Sequence, residues 1–392
     1  MNYYKMPPKS AKVSRKVVQK DGRITEMDTI EDGRQQAKVR HKLKDILVIV
    51  LFGTLANGDE WDDLTYFAQM HKEYLKKYIS LENGIPSHDT IRRVIAMISP
   101  EVLQEMQEKW QELLNRDEGE KMKKIIAIDG KTMCGNKGKE RKPNHIVSAW
   151  CKEDGYCLGQ TAVEEKSNEI TAIPVLLEKI NIKGQVVTID AMGTQTAIAA
   201  KIRERKADYV LALKGNQSAL HKDVMEYFSD EQFCKEIEQH GGYKKVCEKA
   251  HGQLETREYY QTSNIKWLSQ GRNWPGLKGI GMERKTIQRG EKTVQECRYY
   301  IASFGNDIEL FSRAVRQHWS VEVMHWHLDV TFREDHNTTL DKIAAQNMNI
   351  IRKLCLSILK IVEIYKPGIS VKKKRYIIAS APERFIEQIV NF

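Results

Sequence analysis

The sequence predicts an α/β protein, a mixed β-sheet flanked by helices and preceded by an all-helical N-terminal region. Three observations carry that prediction. From Leu43 to about Glu118, apolar residues recur at three- and four-residue steps, the period of an amphipathic helix. At Lys123 the pattern changes to short apolar runs bounded by turn residues, which is how buried strands read. Strands and helices then alternate as far as Lys214, the order of an α/β layer.

The elements follow in sequence. Up to Gly33 there is no apolar periodicity, and the segment reads as a solvated arm. Leu43, Ile46, Leu47, Val50, Leu51 and Leu55 make the first helical stripe, Asn57-Gly58-Asp59 stops it, and the pattern resumes from Trp61 to Ile79. Ser87 or Asp89 caps the next helix. Arg92 and Arg93 in its first turns allow two readings, the recognition helix of a helix-turn-helix unit or ordinary packing. Lys124 to Asp129 is a buried strand. Strands around Ile146–Lys152 and Leu158–Glu164 follow, joined by the Glu153-Asp154-Gly155 turn. Ser167 or Asn168 caps a helix to Ile180. A strand from Gln185 to Asp190, a helix from Thr194 to Arg205 and a strand from Asp208 to Lys214 complete the run. The rhythm breaks from Gly215 to Glu296, which reads as an insertion. It returns with Tyr299 to Ser303 and a long helix from about Ile308.

Charge narrows the partner. The 392 residues carry 63 Lys and Arg against 53 Asp and Glu, a net charge of +10, which favours an anionic partner, nucleic acid first. Residues 1–44 and residues 352–375 each carry +7, so the rest of the chain sums to −4. DNA affinity is therefore expected on the arm and on Lys372-Lys373-Lys374-Arg375. The most apolar run, Ile46 to Ala56, is about half the ~20 residues a membrane span needs, and no signal-peptide pattern is present. No membrane association is expected. Seven cysteines without a C-x-x-C indicate neither a zinc ribbon nor a disulfide framework, but reduced thiols in a cytosolic protein.

Two strands that each end in a carboxylate raise the chemical question. Asp129 and Asp190 fall at the carboxyl edge of a sheet, where open α/β folds bind ligands. Neighbouring carboxylates repel unless a cation lies between them. Strand-terminal Asp residues also cap helices and turns, but the pair, followed by Asp129-Gly130-Lys131 and Asp190-Ala191-Met192-Gly193-Thr194-Gln195, points to a metal site. A third acid lies on the late helix. Steps of four, three and four place His318, Glu322, His325 and Asp329 on one helical face, beside Trp319, Trp326 and Val330. That combination suits a helix packed against a polar site. Zinc ligation by His318, His325 or His327 is disfavoured, because H-E-x-x-H is absent.

Five segments together resemble a known family: Asp129-Gly130-Lys131, Thr188 to Met192, Leu213-Lys214-Gly215-Asn216-Gln217, His251 to Arg257, and His318 through Asp335. In that order they resemble the H-repeat-associated branch of DDE insertion-sequence transposases. The resemblance implies a ribonuclease-H-like catalytic core with a β-rich insertion, and a DNA transposase that cleaves element ends and transfers strands to target DNA. It implies two Mg²⁺ ions, with Mn²⁺ able to substitute, held by Asp129, Asp190 and Glu322. Better-known relatives carry a Tyr, an Arg and a Lys around the Glu; here those spacings hold Val315, His318 and Asp329, so Asp329 and Glu334 remain alternatives to Glu322. Candidate DNA contacts are Lys131, Lys214, Asn216, Gln217, Arg92, Arg93, His318 and His325. Tyr259, Tyr260, Trp267 and Trp274 offer either base stacking or core packing.

The implied partners are the terminal inverted repeats and target DNA, bound by a homodimer in a bacterial, nucleoid-associated cytoplasmic setting. A related endonuclease without strand transfer and a domesticated, non-catalytic DNA-binding protein are the alternatives. The implied organisation is a basic arm (1–42), a helical domain (43–120), a catalytic core (121–214 and 298–365), an insertion (215–297) and a basic C-terminal segment (366–392).

Overall fold

A computed structural model describes residues 27, 30–114, 122–136, 142–163, 167–250 and 253–390. Most of the basic arm, and His251 and Gly252 of the fourth motif, lie outside the described residues.

Nine strands form one mixed sheet. They are β1 Ile125–Thr132, β2 His145–Cys151, β3 Tyr156–Ala162, β4 Val186–Ile189, β5 Asp208–Leu213, β6 Tyr243–Ala250, β7 Gln253–Thr262, β8 Gly279–Arg289 and β9 Lys292–Ala302. The order is β3-β2-β1-β4-β5-β9-β8-β7-β6. β1, β4 and β5 run parallel, while β2 is antiparallel to both β1 and β3. This five-strand half is the ribonuclease-H-like arrangement.

The insertion does not stand apart from that half. β9 pairs antiparallel with β5, from Val210↔Ala302 to Leu213↔Tyr299, and β9, β8, β7 and β6 continue as a meander. β9 runs across the expected boundary at 297/298. The added strands give the open backbone edge of β5 a partner, which an exposed edge strand otherwise lacks.

Both faces of the central strands are covered. On one, Glu169–Lys179, Thr196–Glu204 and Ser218–Ser229 pack over Ile126, Ile128, Val187, Ile189 and Leu211. On the other, Ile308–His318 lies over Ile125, Val186, Val210 and Tyr300. Beside it the 20-residue helix Lys342–Ile361 is buried along nearly its whole length. It sits between the sheet and the N-terminal helices Leu43–Leu55, Trp61–Met70, His88–Met97 and Pro100–Leu114. Its polar residues meet partners: Asn347 Nδ2 donates to the carbonyls of Ile95 (2.7 Å) and Ile98 (2.8 Å), two acceptors that the ending helix cannot satisfy itself. The stop at Asn57-Gly58 is real, with Asn57 left-handed at φ 73°.

The C-terminal segment is a helix pair, Val371–Ser380 and Pro382–Val390, folded back onto this helical layer. The expectation that Lys372-Lys373-Lys374-Arg375 binds DNA as a unit needs correction. Lys374 donates to the carbonyls of Leu359 (2.6 Å) and Val362 (2.7 Å), capping the central helix, and Arg375 is fully buried. Arg352 and Lys353 are buried as well. Four of the charges that make 352–375 basic therefore face inward, and of the quartet only Lys372 and Lys373 are exposed. No described helix is long and apolar enough to cross a membrane, and all seven cysteines are free thiols.

Candidate active site

β1 and β4 set the first two carboxylates. Their last paired residues are Ile128 and Ile189, so Asp129 and Asp190 each stand one step beyond, at the same edge. The loop after β4 is held tightly. Thr194 Oγ1 donates to the carbonyls of Asp190 (3.0 Å) and Ala212 (2.7 Å), and the Gly193 amide donates to Asp190 Oδ1 at 3.2 Å.

The late helix is broken rather than continuous. Ile308–His318 ends at Trp319, Ser320–Trp326 comes next, and His327–Thr331 is a π-turn. Such a turn accommodates an extra residue and re-aims the side chains beyond it. The polar row read on one face is thus divided among different neighbours. His318 Nδ1 meets Thr188 Oγ1 at 3.1 Å, Glu322 is exposed, and His325 Nδ1 lies 3.5 Å from Asp129 Oδ2. Asp329 reaches Lys131 Nζ at 2.7 Å.

Asp129 is the electrostatic centre of the site. Burial, together with the negative charges of Glu169, Asp190 and Glu322, pushes its carboxyl up to about 7 against the pull of the Gly130 amide. Partial desolvation on the side facing the protein also raises the exposed Glu322, which the Arg298 guanidinium partly offsets. Burial, assisted by nearby cations, drops His318 to about 4 and His325 to about 3, so both imidazoles are neutral at physiological pH. The donor set consists of hard carboxylate oxygens, which suit Mg²⁺ or Mn²⁺ rather than a soft ion. Among the described residues, no three His, Cys, Asp or Glu side chains are close enough to form a ready-made cage.

Several expected DNA contacts are otherwise engaged. Lys131 is buried, and its ammonium pairs with Asp329, with Glu334 (3.3 Å) and with Asp335 (3.3 Å). The ammonium expected at a phosphate is thus engaged by three carboxylates of the same chain. Its three partners lie about 200 residues away, so no local motif announces them. Glu334 is buried between Lys131, Arg352 and Asn349; burial alone would raise it, but Arg352 and Lys131 hold it below the usual range. Asn216 Nδ2 donates to the Ala191 carbonyl and Gln217 Nε2 to that of Thr194, so both amides brace the loop after Asp190. Arg92 pairs with Asp89 at 3.0 Å, and Arg93 Nε donates to the Asp89 carbonyl at 3.3 Å; both are exposed. Lys214 is exposed at the end of β5. Tyr259, Tyr260 and Trp274 are buried. Trp267 stacks on Tyr227, centroids 5.0 Å apart.

Nothing local in the sequence marks Glu169 as part of the site. It opens the helix after β3, where an acidic residue normally reads as complementing the helix dipole. Its Oε1 lies 2.7 Å from His145 Nε2, and a Cβ at residue 130 would collide with both groups. Gly130→Ala is expected to split the Glu169–His145 pair, costing about 1–3 kcal/mol and most of the activity. Unchanged urea unfolding and full DNA cleavage by this variant would contradict the packing described.

Comparison with known proteins gives the family. Residues 120–358 match the model described as "Transposase DDE domain", and residues 24–111 match "DDE_Tnp_1-associated". The chain belongs to the DDE transposase family, in its H-repeat-associated branch. It is 39% identical over 373 residues to the putative transposase YncI of Escherichia coli O157:H7, covering 93% of each chain. It is 37% identical over 356 residues to the H repeat-associated putative transposase YhhI of Escherichia coli K12, covering 88% of this chain and 92% of that one. A cryo-EM structure of the piggyBac transposase synaptic complex with hairpin DNA aligns over 93% of this chain and 76% of its own, with 10% identity and a TM-score of 0.39.

Proposed function

We propose that this transposase cleaves DNA at the ends of its element and transfers the strands into target DNA, as a homodimer that brings two ends together. In this reading Asp129, Asp190 and Glu322 hold two Mg²⁺ ions, with Mn²⁺ able to substitute. Ions held by these three carboxylates would supply Lewis-acid activation of the attacking water or 3′-hydroxyl and charge stabilisation at the leaving oxygen.

The observation that carries the reading is the environment of Asp129, a largely buried carboxylate whose charged influences are three other carboxylates. Such crowding is costly unless positive charge is brought to it. Asp329 and Glu334 are already paired with Lys131, whereas Glu322 acts on Asp129, which favours Glu322 as the third acid. The neutral His318 and His325 suit hydrogen bonding to substrate rather than charge, and Lys214 suits a backbone phosphate.

The test is incubation with duplex carrying the inverted repeats that flank the gene, in Mg²⁺ or Mn²⁺. Wild type is expected to release cut ends and form joined product, and Asp190→Ala and Asp190→Asn to do neither. Equal activity of wild type and both variants would refute the site. Cleavage without joining would make the protein a nuclease, and binding without cleavage would make it a non-catalytic DNA-binding protein.

A further inference from the structure

We infer that Arg298 of β9 forms a binding site for a DNA backbone phosphate beside Glu322, with the Trp319 ring as its platform and Glu296 as the carboxylate that occupies it in the free protein. The inference rests on the reading of the carboxylate cluster as a DNA-cleaving site.

A phosphate entering a nest of carboxylates needs a positive group that is not already neutralised. Lys131 is shared by three acids. His318 Nδ1 is engaged by Thr188 Oγ1 at 3.1 Å, and His325 Nδ1 faces Asp129 at 3.5 Å. Arg298 differs in its geometry. β9 pairs with β5 as far as Leu213↔Tyr299, so Arg298 stands one residue further out, at the edge where Lys214 leaves β5. Its guanidinium carbon lies 4.2 Å from the Trp319 ring centroid, a stacking that fixes the plane of the fork. Nε and Nη2 donate to the two oxygens of Glu296 at 2.9 and 3.2 Å. A carboxylate held by an arginine fork has the geometry of a phosphate held the same way. The Glu296 side chain is 53% exposed, so it can swing into water without leaving a buried charge behind. Trp319 joins Ile308–His318 to Ser320–Trp326, the segment that carries Glu322, so the stack places Arg298 against the helix of the third acid.

The experiment is a methylphosphonate scan. End duplexes with single phosphates near the cut made neutral are bound, without divalent metal, to wild type, Arg298→Ala, Arg298→Lys and Glu296→Gln. Wild type is expected to lose about tenfold in affinity at one or two positions. Arg298→Ala should bind unmodified DNA about tenfold more weakly and show no further loss at those positions. Arg298→Lys, which keeps the charge and guards against misfolding of the alanine variant, should retain part of the loss at the same positions. Glu296→Gln should tighten binding in wild type but not in the Arg298→Ala background, a coupling that a merely structural arginine would not produce. The same positional pattern in wild type and Arg298→Ala, or no sensitive position in wild type, overturns the inference. If wild type shows the pattern yet cleaves nothing when metal is added, the proposed catalysis fails while the phosphate site stands.

Discussion

Asp129→Asn is expected to abolish cleavage and, in metal-free buffer at pH 8, to leave the protein more stable than wild type. The sign comes from proton linkage. Asp129 titrates at about 7 in the folded chain against 3.8 for an unperturbed Asp. Between those values the folded state holds the proton that the unfolded state has released, so stability falls as pH rises from about 4 to 7. Above pH 7 the ionised carboxylate remains a full penalty on the fold. A neutral amide of the same shape removes it, giving a gain on the order of 1–3 kcal/mol, or about 2–6 °C in melting temperature for a chain of this size. At pH 4, where the wild-type carboxyl is largely protonated, the two proteins should melt alike. Mg²⁺ should stabilise wild type at pH 8 and have much less effect on the variant. Melts at pH 4 and pH 8, with EDTA and with Mg²⁺, check each arm. A variant less stable than wild type at pH 8 would mean that the carboxylate is not crowded as described.

That prediction depends on residues of unequal visibility in the sequence. The apolar runs leading into Asp129 and Asp190 were legible, a pattern that burial on both sheet faces imposes, but β1 does not stop at its acid: it continues to Thr132 by pairing with β2. The helix carrying Glu322 was legible as a helix, but not its break at Trp319 or the π-turn after Trp326. Both depend on packing against the central helix and β1 rather than on local spacing. Glu169 was not legible at all. Its partner, His145, lies across the sheet edge on β2, and contact between them requires the bare backbone of Gly130. Lys131 illustrates the reverse case: a lysine two residues after the Asp reads from sequence as a phosphate contact, while its ion pairs with Asp329, Glu334 and Asp335 depend on the fold. The insertion was recognised from its broken rhythm. That it extends the sheet is decided by the free edge of β5, which no segment of sequence displays.

The basic C-terminal segment leads to the other large effect. Arg375→Ala should destabilise the protein by about 3–5 kcal/mol, the cost of breaking a buried ion pair by removing one partner. Arg375 is fully buried. It donates to the Thr54 carbonyl at 2.9 and 3.1 Å, to the Thr331 carbonyl, and to Asp59 Oδ1 at 2.8 Å, and it stacks over Phe332 at 4.3 Å. Its removal leaves two buried carbonyls unsatisfied and Asp59 without the guanidinium that opposes the effect of burial on its carboxyl. Arg375→Lys should recover little, since one ammonium cannot span three separated acceptors. Thr331 closes the π-turn that holds Asp329 on Lys131, so the loss should also reach the site and lower activity at temperatures where the variant remains folded. Lys372→Ala with Lys373→Ala is the contrasting experiment. Both lysines are exposed, and their loss should leave stability within about 0.5 kcal/mol. If they contact DNA, the slope of log affinity against log salt should shrink by about 0.9 per phosphate released. Urea unfolding and DNA binding measured over a salt series separate the two pairs. A destabilised Lys372/Lys373 variant, or an Arg375→Ala protein that unfolds with wild type, would reverse the assignment of which charges hold the fold and which face its partner.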